Sequence, residues 1–304
     1  MNEREQHLRR FDDGELLKYP AFHAEVFRTE GGTYYLKQPG VVMIAQSVPN
    51  LEGMRTFLRG FDPELEFDKY LDDPVKLDPA AQIIKVAGQN CYVSFGPKRS
   101  MNADVERYIG NIVSSGHGSV MEHPNFTLLF YGVDRSFTHE LVRHRAGMGY
   151  SQESQRYVGG SVLRFVERPE FQEVPGLHRQ FEQRIDRVAA EYENLTTSLL
   201  TLQGEGLKIV SAEQAVDKRK KVRQAARAVL TNETEAIIVV TGNLRAWRHI
   251  FNMRVSEHAE VQIRKAIYKA YKCLKEVEPI SLGDFEEVQL SDGTIGLKTN
   301  YPKV

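Results

Sequence analysis

The sequence predicts a chain of mixed helices and strands, and three observations carry this. Phe181, Ile185, Val188, Tyr192 and Leu195 recur at steps of three or four between Leu177 and Gln203, the spacing of a long amphipathic helix. The stretches Asn125–Val133 and Glu235–Thr241 are short, apolar and rich in aromatic or β-branched residues, as strands are. Hydrophobic residues make up 41% and charged residues 27% of the 304, which suits a packed core and argues against wholesale disorder.

The elements follow in chain order. Residues 1–75 read as an N-terminal extension of short strands, with aromatics (Phe11, Tyr19, Phe22, Phe27, Tyr34, Tyr35) between Gly/Pro breaks, and Gln38–Val48 reads partly as one strand. The main domain is placed at 76–285 and a C-terminal tail at 286–304. Leu77–Phe95 has no decisive period and stays open between helix and strand. Asn102–Ser115 fits a helix with Gly116 as its stop. Asp134 or Ser136 can cap a helix running to about Arg145, and the Gly- and Ser-rich Ala146–Tyr157 is expected to be loop. Arg219–Leu230 reads as a basic helix, and Leu244–Val277 as one or two more. No internal repeat or low-complexity block interrupts this pattern.

Charge narrows the function classes. Forty basic side chains against 41 acidic ones give a net charge of -1, whereas proteins that coat nucleic acid are usually strongly basic. The chain opens on charged residues without an apolar core segment, and its longest aliphatic run, Ala236–Val240, is far too short for a bilayer. The expectation is a soluble cytoplasmic protein without membrane or nucleic-acid partners. The two cysteines, Cys91 and Cys273, lack CxxC partners and activating neighbours, so both are expected to be packing residues.

Three clusters could carry chemistry. The first, Arg143 to Tyr157, places Arg143, His144, Arg145 and Arg156 near Gln152, Ser154 and Gln155. Guanidinium groups suit bidentate phosphate contacts, amides and hydroxyls suit a base or ribose edge, and Gly147 and Gly149 let a ligand approach the backbone. A solvated basic loop is the plain alternative, and the density of polar groups other than lysine favours ligand binding. The second, Gly116–His123, holds His117 and His123, but its spacing is not HExxH and no carboxylate completes a ligand set, so no metal is expected. The third, Asn243–His258, puts Arg245 beside His249 and Arg254 beside His258 on a helix, with Trp247 and Phe251 facing the core. Ordinary amphipathicity explains that helix taken alone. Neither a GxxxxGK[ST] loop nor a GxGxxG after a strand is present, so a P-loop and a Rossmann site are unsupported.

Taken together, the motifs GHGSVMEH, HELVRHR, YSQESQRYV, ARAVL and NLRAWRHIFNMRVSEHAEVQIR resemble, in order, those of the flavin-dependent thymidylate synthases (ThyX), over about residues 80–280. The resemblance implies an α+β fold, a central sheet flanked by helices, and a homotetramer with shared active sites. It implies C5-methylation of uridylate, with carbon from methylenetetrahydrofolate, hydride from reduced FAD, and NADPH refilling the flavin. It places His117, Ser119, Glu122, Arg143, His144, Arg145, Gln152, Asn243, Arg245, His249 and His258 at the flavin. It places Glu140, Arg143, Gln152, Glu153, Ser154, Gln155, Arg156, Arg227 and Arg254 at the nucleotide, with Arg254 polarising the uracil. Eight residues separate Arg145 from Ser154, one more than the commonest family spacing, and relatives in nucleoside-antibiotic pathways methylate UMP, so the expected substrate is dUMP, UMP or both, with a UMP-specific methylase of nucleoside-antibiotic biosynthesis as the alternative. A different class, a nucleic-acid binder using Arg143, Arg145, Arg156 and the 218–223 KRKKVR run, is disfavoured by the charge balance and by the ordinary reading of that run as a solvated helix face.

Overall fold

A computed structural model describes residues 19–157, 159, 162–207 and 215–304. The first 18 residues of the predicted extension therefore lie outside the described residues. The strands are β1 (Ala21–Phe22), β2 (Val26–Arg28), β3 (Tyr34–Leu36), β4 (Gly40–Gln46), β5 (Asn125–Tyr131), β6 (Met148–Gln152), β7 (Arg164–Val166), β8 (Ile238–Asn243), β9 (Glu286–Gln289) and β10 (Ile295–Lys298). The helices are α1 (Leu51–Leu58), α2 (Pro79–Asn90), α3 (Val105–Ser114), α4 (Arg135–Leu141), the single turn α5 (Pro169–Gln172), α6 (Pro175–Gly204), α7 (Ala215–Ala226), α8 (Leu244–Arg254) and α9 (Val261–Val277).

A five-stranded antiparallel sheet in the order β1-β4-β5-β8-β6 forms the centre of this α+β fold. On β5 and β8 every second residue is buried: Phe126, Leu128 and Phe130 on one, Ile238 and Val240 on the other. Such alternation gives the sheet one apolar face. Helices α8 and α9 cover it with Trp247, Ile250, Phe251, Ile263, Ile267, Tyr271 and Leu274, all fully buried in the same cluster. Burying a side chain of this size contributes about 1.5–3 kcal/mol, so this face is the main anchor of α8, the helix that carries Arg245, His249 and Arg254. The segment before residue 76 joins the same body: β4 pairs with β5, and Tyr35 of β3 packs on Phe165, Phe181 and Ile185 of β7 and α6. The β9–β10 hairpin also packs on the core, through Leu297.

Several elements differ from their sequence-based expectation. Leu77–Phe95 resolves to α2, opened by Pro79 in its first turn, where a missing N–H costs nothing. The helix expected to reach Arg145 stops at Leu141, and the Tyr150 hydroxyl lies within hydrogen-bond distance of the carbonyls of Leu141 (3.0 Å) and His144 (2.5 Å) just beyond its end. Ala146–Tyr157 is not all loop: Met148–Gln152 is the edge strand β6, paired with β8. Its Gly/Ser content hides a strand that tertiary pairing creates. The second strand begins at Ile238 and runs to Asn243 instead of spanning 235–241. Cys91 is exposed, not packed, whereas Cys273 is buried. Gly116 does end α3, at a φ of 75° that favours glycine, and the His117 N–H donates back to the Ile112 carbonyl.

Candidate functional site

Two strand ends build the site. At the end of β8, the Asn243 side chain caps α8 by accepting from the Ala246 N–H at 2.8 Å, which fixes where that helix starts. Beside it, the turn before β6 passes through Gly147 at a φ of 70°, and a Cβ there would stand 2.5 Å from the Asn243 amide. Only glycine lets the Arg143–Arg145 segment approach the start of α8 so closely.

Between these elements opens a cleft of about 510 Å³ lined by Arg143, His144, Arg145, Asn243, Arg245, His249 and Glu122, with Ala146, Gly147, Met148 and Pro302–Val304 completing its wall. Arg245 pairs with Glu122 at 2.5 Å, and Arg143 donates to His139 at 3.2 Å. The Arg145 side chain has no hydrogen-bond or ion-pair partner among the described residues. Cationic and amide donors thus outnumber acceptors, a lining whose chemistry suits an anionic group.

Arg254 does not line the cleft itself but stands behind its wall residue His144. Its Nε donates to His144 Nε2 at 2.9 Å and its Nη1 to Glu140 Oε2 at 2.9 Å. Burial pushes the pKa of His144 down to about 4, helped by the Arg254 guanidinium and by the neighbouring His249, so the ring is neutral near pH 7 and free to accept. Glu140 supplies the counter-charge, and the two neighbours fix the guanidinium plane. Between about 4 and 6.5 the unfolded chain takes up a proton that the folded His144 refuses, so stability rises with pH across that window and falls on acidification through it. Urea midpoints measured from pH 7 to pH 4.5 should therefore fall less steeply in His144→Gln. Equal slopes in both proteins would show that another group drives the acid loss.

The remaining predicted nucleotide residues lie elsewhere on the chain. Gln155 and Arg227 share a second cavity of about 450 Å³ with Arg135, Gln224 and Asn232, and no residue lines both cavities. Arg156 lines a third with Tyr157, Arg219, Lys220 and Arg223. Gln155 Nε2 and Arg156 Nε are buried with no partner among the described residues, which is costly unless a ligand accepts from them. Gln152 ends β6, and the Ser154 Oγ accepts from the Arg156 N–H at 3.4 Å. Burial, with Glu235 nearby, raises the Glu153 carboxyl above its ordinary range.

His117, Ser119 and His258 are exposed and do not line the arginine-rich cleft. The helical pairing expected between Arg254 and His258 is absent because α8 ends at Arg254. Sequence reading missed Met148, Pro302, Lys303 and Val304 in the cleft, and Arg135 and Asn232 in the second cavity. No local motif marks Pro302–Val304, which enter through tertiary packing alone. Among the described residues no group of three or more His, Cys, Asp or Glu side chains could hold a metal ion, and no helix is long and apolar enough to cross a membrane.

Both the sequence and the fold have known relatives. A family model described as "Thymidylate synthase complementing protein" matches residues 75–280. A flavin-dependent thymidylate synthase of Corynebacterium diphtheriae is 40% identical over 230 residues, covering 74% of this chain and 88% of that protein. One from Mycobacterium avium is 42% identical over 217 residues, covering 71% and 84%. Among solved structures, the UMP/dUMP methylase PolB of Streptomyces cacaoi, bound with 5-Br dUMP, superposes with a TM-score of 0.53 at 18% identity, covering 81% of this chain and 93% of that one, a likeness of fold. The match over residues 75–280 takes in the arginine cleft's Arg143–Arg145 segment, the Ser154–Arg156 turn and the Asn243-capped helix, and with relatives 40% identical over most of their length the chain belongs to the flavin-dependent thymidylate synthase family.

Proposed function

We propose that this enzyme methylates C5 of a uridylate, dUMP and UMP both being substrates. The observation that carries the reading is the Arg254 guanidinium, held in one plane by Glu140 and a neutral His144 beside an anion-binding cleft. Uracil C5 is a weak nucleophile until its ring is electron-rich. A fixed guanidinium at the N3/carbonyl edge stabilises the enolate-like charge that develops as C5 attacks. A sulfur adduct at C6 is the other route to the same end, and this chain is poorly equipped for it. Cys273 is buried, its thiol pushed up to about 12 by that burial, and Cys91 does not line the cleft.

The donor set fits a flavin nucleotide. Arg143, Arg145 and Arg245 would hold its phosphates, His144, His249 and Asn243 its ring edge, and Gly147 removes the bulk that would block close approach. When bound, reduced FAD, replenished by NADPH, supplies the hydride that completes the methyl group brought by methylenetetrahydrofolate. The nucleotide's phosphate would be held by Arg156 and Arg227, whose cavities are separate from the one at Arg143, together with Ser154, which accepts from the Arg156 N–H. In a homotetramer in which two subunits complete each site, cavities separated on one chain would be brought together across an interface. Small residues, Ala146 and Gly147, line the cleft where the chain carries its extra residue, and a pocket without a dedicated partner for a hydroxyl rejects it only weakly.

Steady-state assays with dUMP and UMP test the proposal. Methylation of both is expected from yellow, flavin-bearing protein, and a chain inert toward UMP ends the broader claim. Colourless protein that binds nucleic acid with a steep salt dependence would overturn the whole reading in favour of a basic binding module. Within the reading, Arg156→Ala should raise the nucleotide KM about tenfold or more, the loss of a charged hydrogen bond, with little change in flavin content. A KM at the wild-type value would remove Arg156 from the nucleotide site.

A further inference from the structure

The helix that carries Arg245, His249 and Arg254 is pinned from behind by a buried arginine. Arg248 is 1% exposed and grips Asp284 with both terminal nitrogens, at 2.6 and 2.8 Å. It also donates to the main-chain oxygens of Ser281 (2.5 Å) and Val304 (2.9 Å), and the Phe285 ring lies 4.9 Å from its guanidinium carbon. A buried guanidinium with its donors so fully used holds its partners in fixed places. One of those partners, Val304, ends a run of three residues, Pro302–Val304, that forms cleft wall. Gly118 shows how tight the fit is: a Cβ there would stand 3.0 Å from Arg245 Nε and 3.4 Å from Val304 Cα. Between Pro302 and Val304 sits Lys303, exposed and without a hydrogen-bond or ion-pair partner among the described residues. The fold thus brings a lysine with an unpaired side chain into the lining of a cleft already rich in guanidinium groups.

We propose that Lys303 is a further ligand-binding residue of this cleft, giving its charge to the pyrophosphate of a bound dinucleotide, and that Arg248 and Asp284 position it. The inference rests on the flavin-nucleotide reading above. A lysine ammonium is a compact point charge suited to phosphate and has little to offer a flat ring. FAD and NADPH share that pyrophosphate, so the test has an arm for each.

The experiment titrates apoprotein with FAD, riboflavin and NADPH, followed by fluorescence. Lys303→Ala should weaken FAD about tenfold while riboflavin, which has no phosphate, binds as before. Lys303→Arg should restore most of the affinity. Asp284→Asn should reproduce part of the FAD-selective loss although it touches no ligand, a selectivity that simple unfolding would not give. A loss seen with NADPH alone keeps the pyrophosphate assignment and names the reductant as its source. Unchanged affinity for both dinucleotides in Lys303→Ala, or an equal loss for riboflavin, overturns the inference. Wild-type protein that binds neither FAD nor NADPH would instead end the reading of the cleft itself.

Discussion

Arg254→Ala lowers kcat about 100-fold or more and leaves the flavin spectrum in place. The magnitude is that of removing a preorganised donor aimed at developing negative charge. The side chain touches His144 and Glu140, while the arginines assigned to the cofactor, Arg143, Arg145 and Arg245, stand apart from it in the cleft. The effect should therefore fall on the chemical step, lowering kcat and kcat/KM together. Arg254→Lys should rescue little, because an ammonium cannot reproduce a planar fork held at two points. Glu140→Gln keeps the length of the contact and removes its charge, so it should reduce turnover less than Arg254→Ala. Methylation at wild-type speed in Arg254→Ala would sink the proposed mechanism.

Arg143→Ala combined with Arg145→Ala yields colourless protein. Both residues are exposed in the cleft and support no packing, so the double substitution should leave unfolding stability within about 0.5 kcal/mol per site. Each charged hydrogen bond to a phosphate contributes about 1.5–3 kcal/mol, and losing two weakens FAD binding about 10²–10⁴-fold. Equilibrium dialysis with FAD measures the loss, and thermal unfolding of the two apoproteins controls for folding. Flavin retained at wild-type stoichiometry would mean that these arginines serve another ligand. The two experiments separate the two halves of the reading, since one removes chemistry and keeps colour while the other removes colour first.

Much of the fold and of the site is legible in the amino-acid sequence. The period of three to four in Phe181, Ile185 and Tyr192 survives as the buried stripe of α6, because a helix face has no other way to hide apolar residues. The Arg143–His144–Arg145 triplet stands out as chemistry because it sits among Gln152, Ser154, Gln155 and Arg156, a density of polar groups other than lysine that suits an anionic ligand, whereas the Asn243–Arg254 segment gains that reading only beside the other motifs. Other features are hidden. Strand β6 reads as loop because Gly149, Ser151 and Gln152 carry no strand preference of their own; its hydrogen-bonding partner, β8, begins 86 residues after it ends (238 minus 152). Cys91 and Cys273 look alike in sequence, yet one is exposed and the other buried, since burial depends on what docks against a residue.

Many of the elements, the family, and most of the polar groups that line the cleft can be read from the residues alone, because they follow from side-chain chemistry and from spacing along one short stretch of chain. Three-dimensional packing was needed to show that Arg254 is oriented by His144 and Glu140, 110 and 114 residues away, that Gly147 and Gly118 clear room for Asn243 and Val304, and that Pro302–Val304 close the cleft. Those are contacts between distant segments, whose energies exist only once the apolar face of the sheet has brought α8 down upon it.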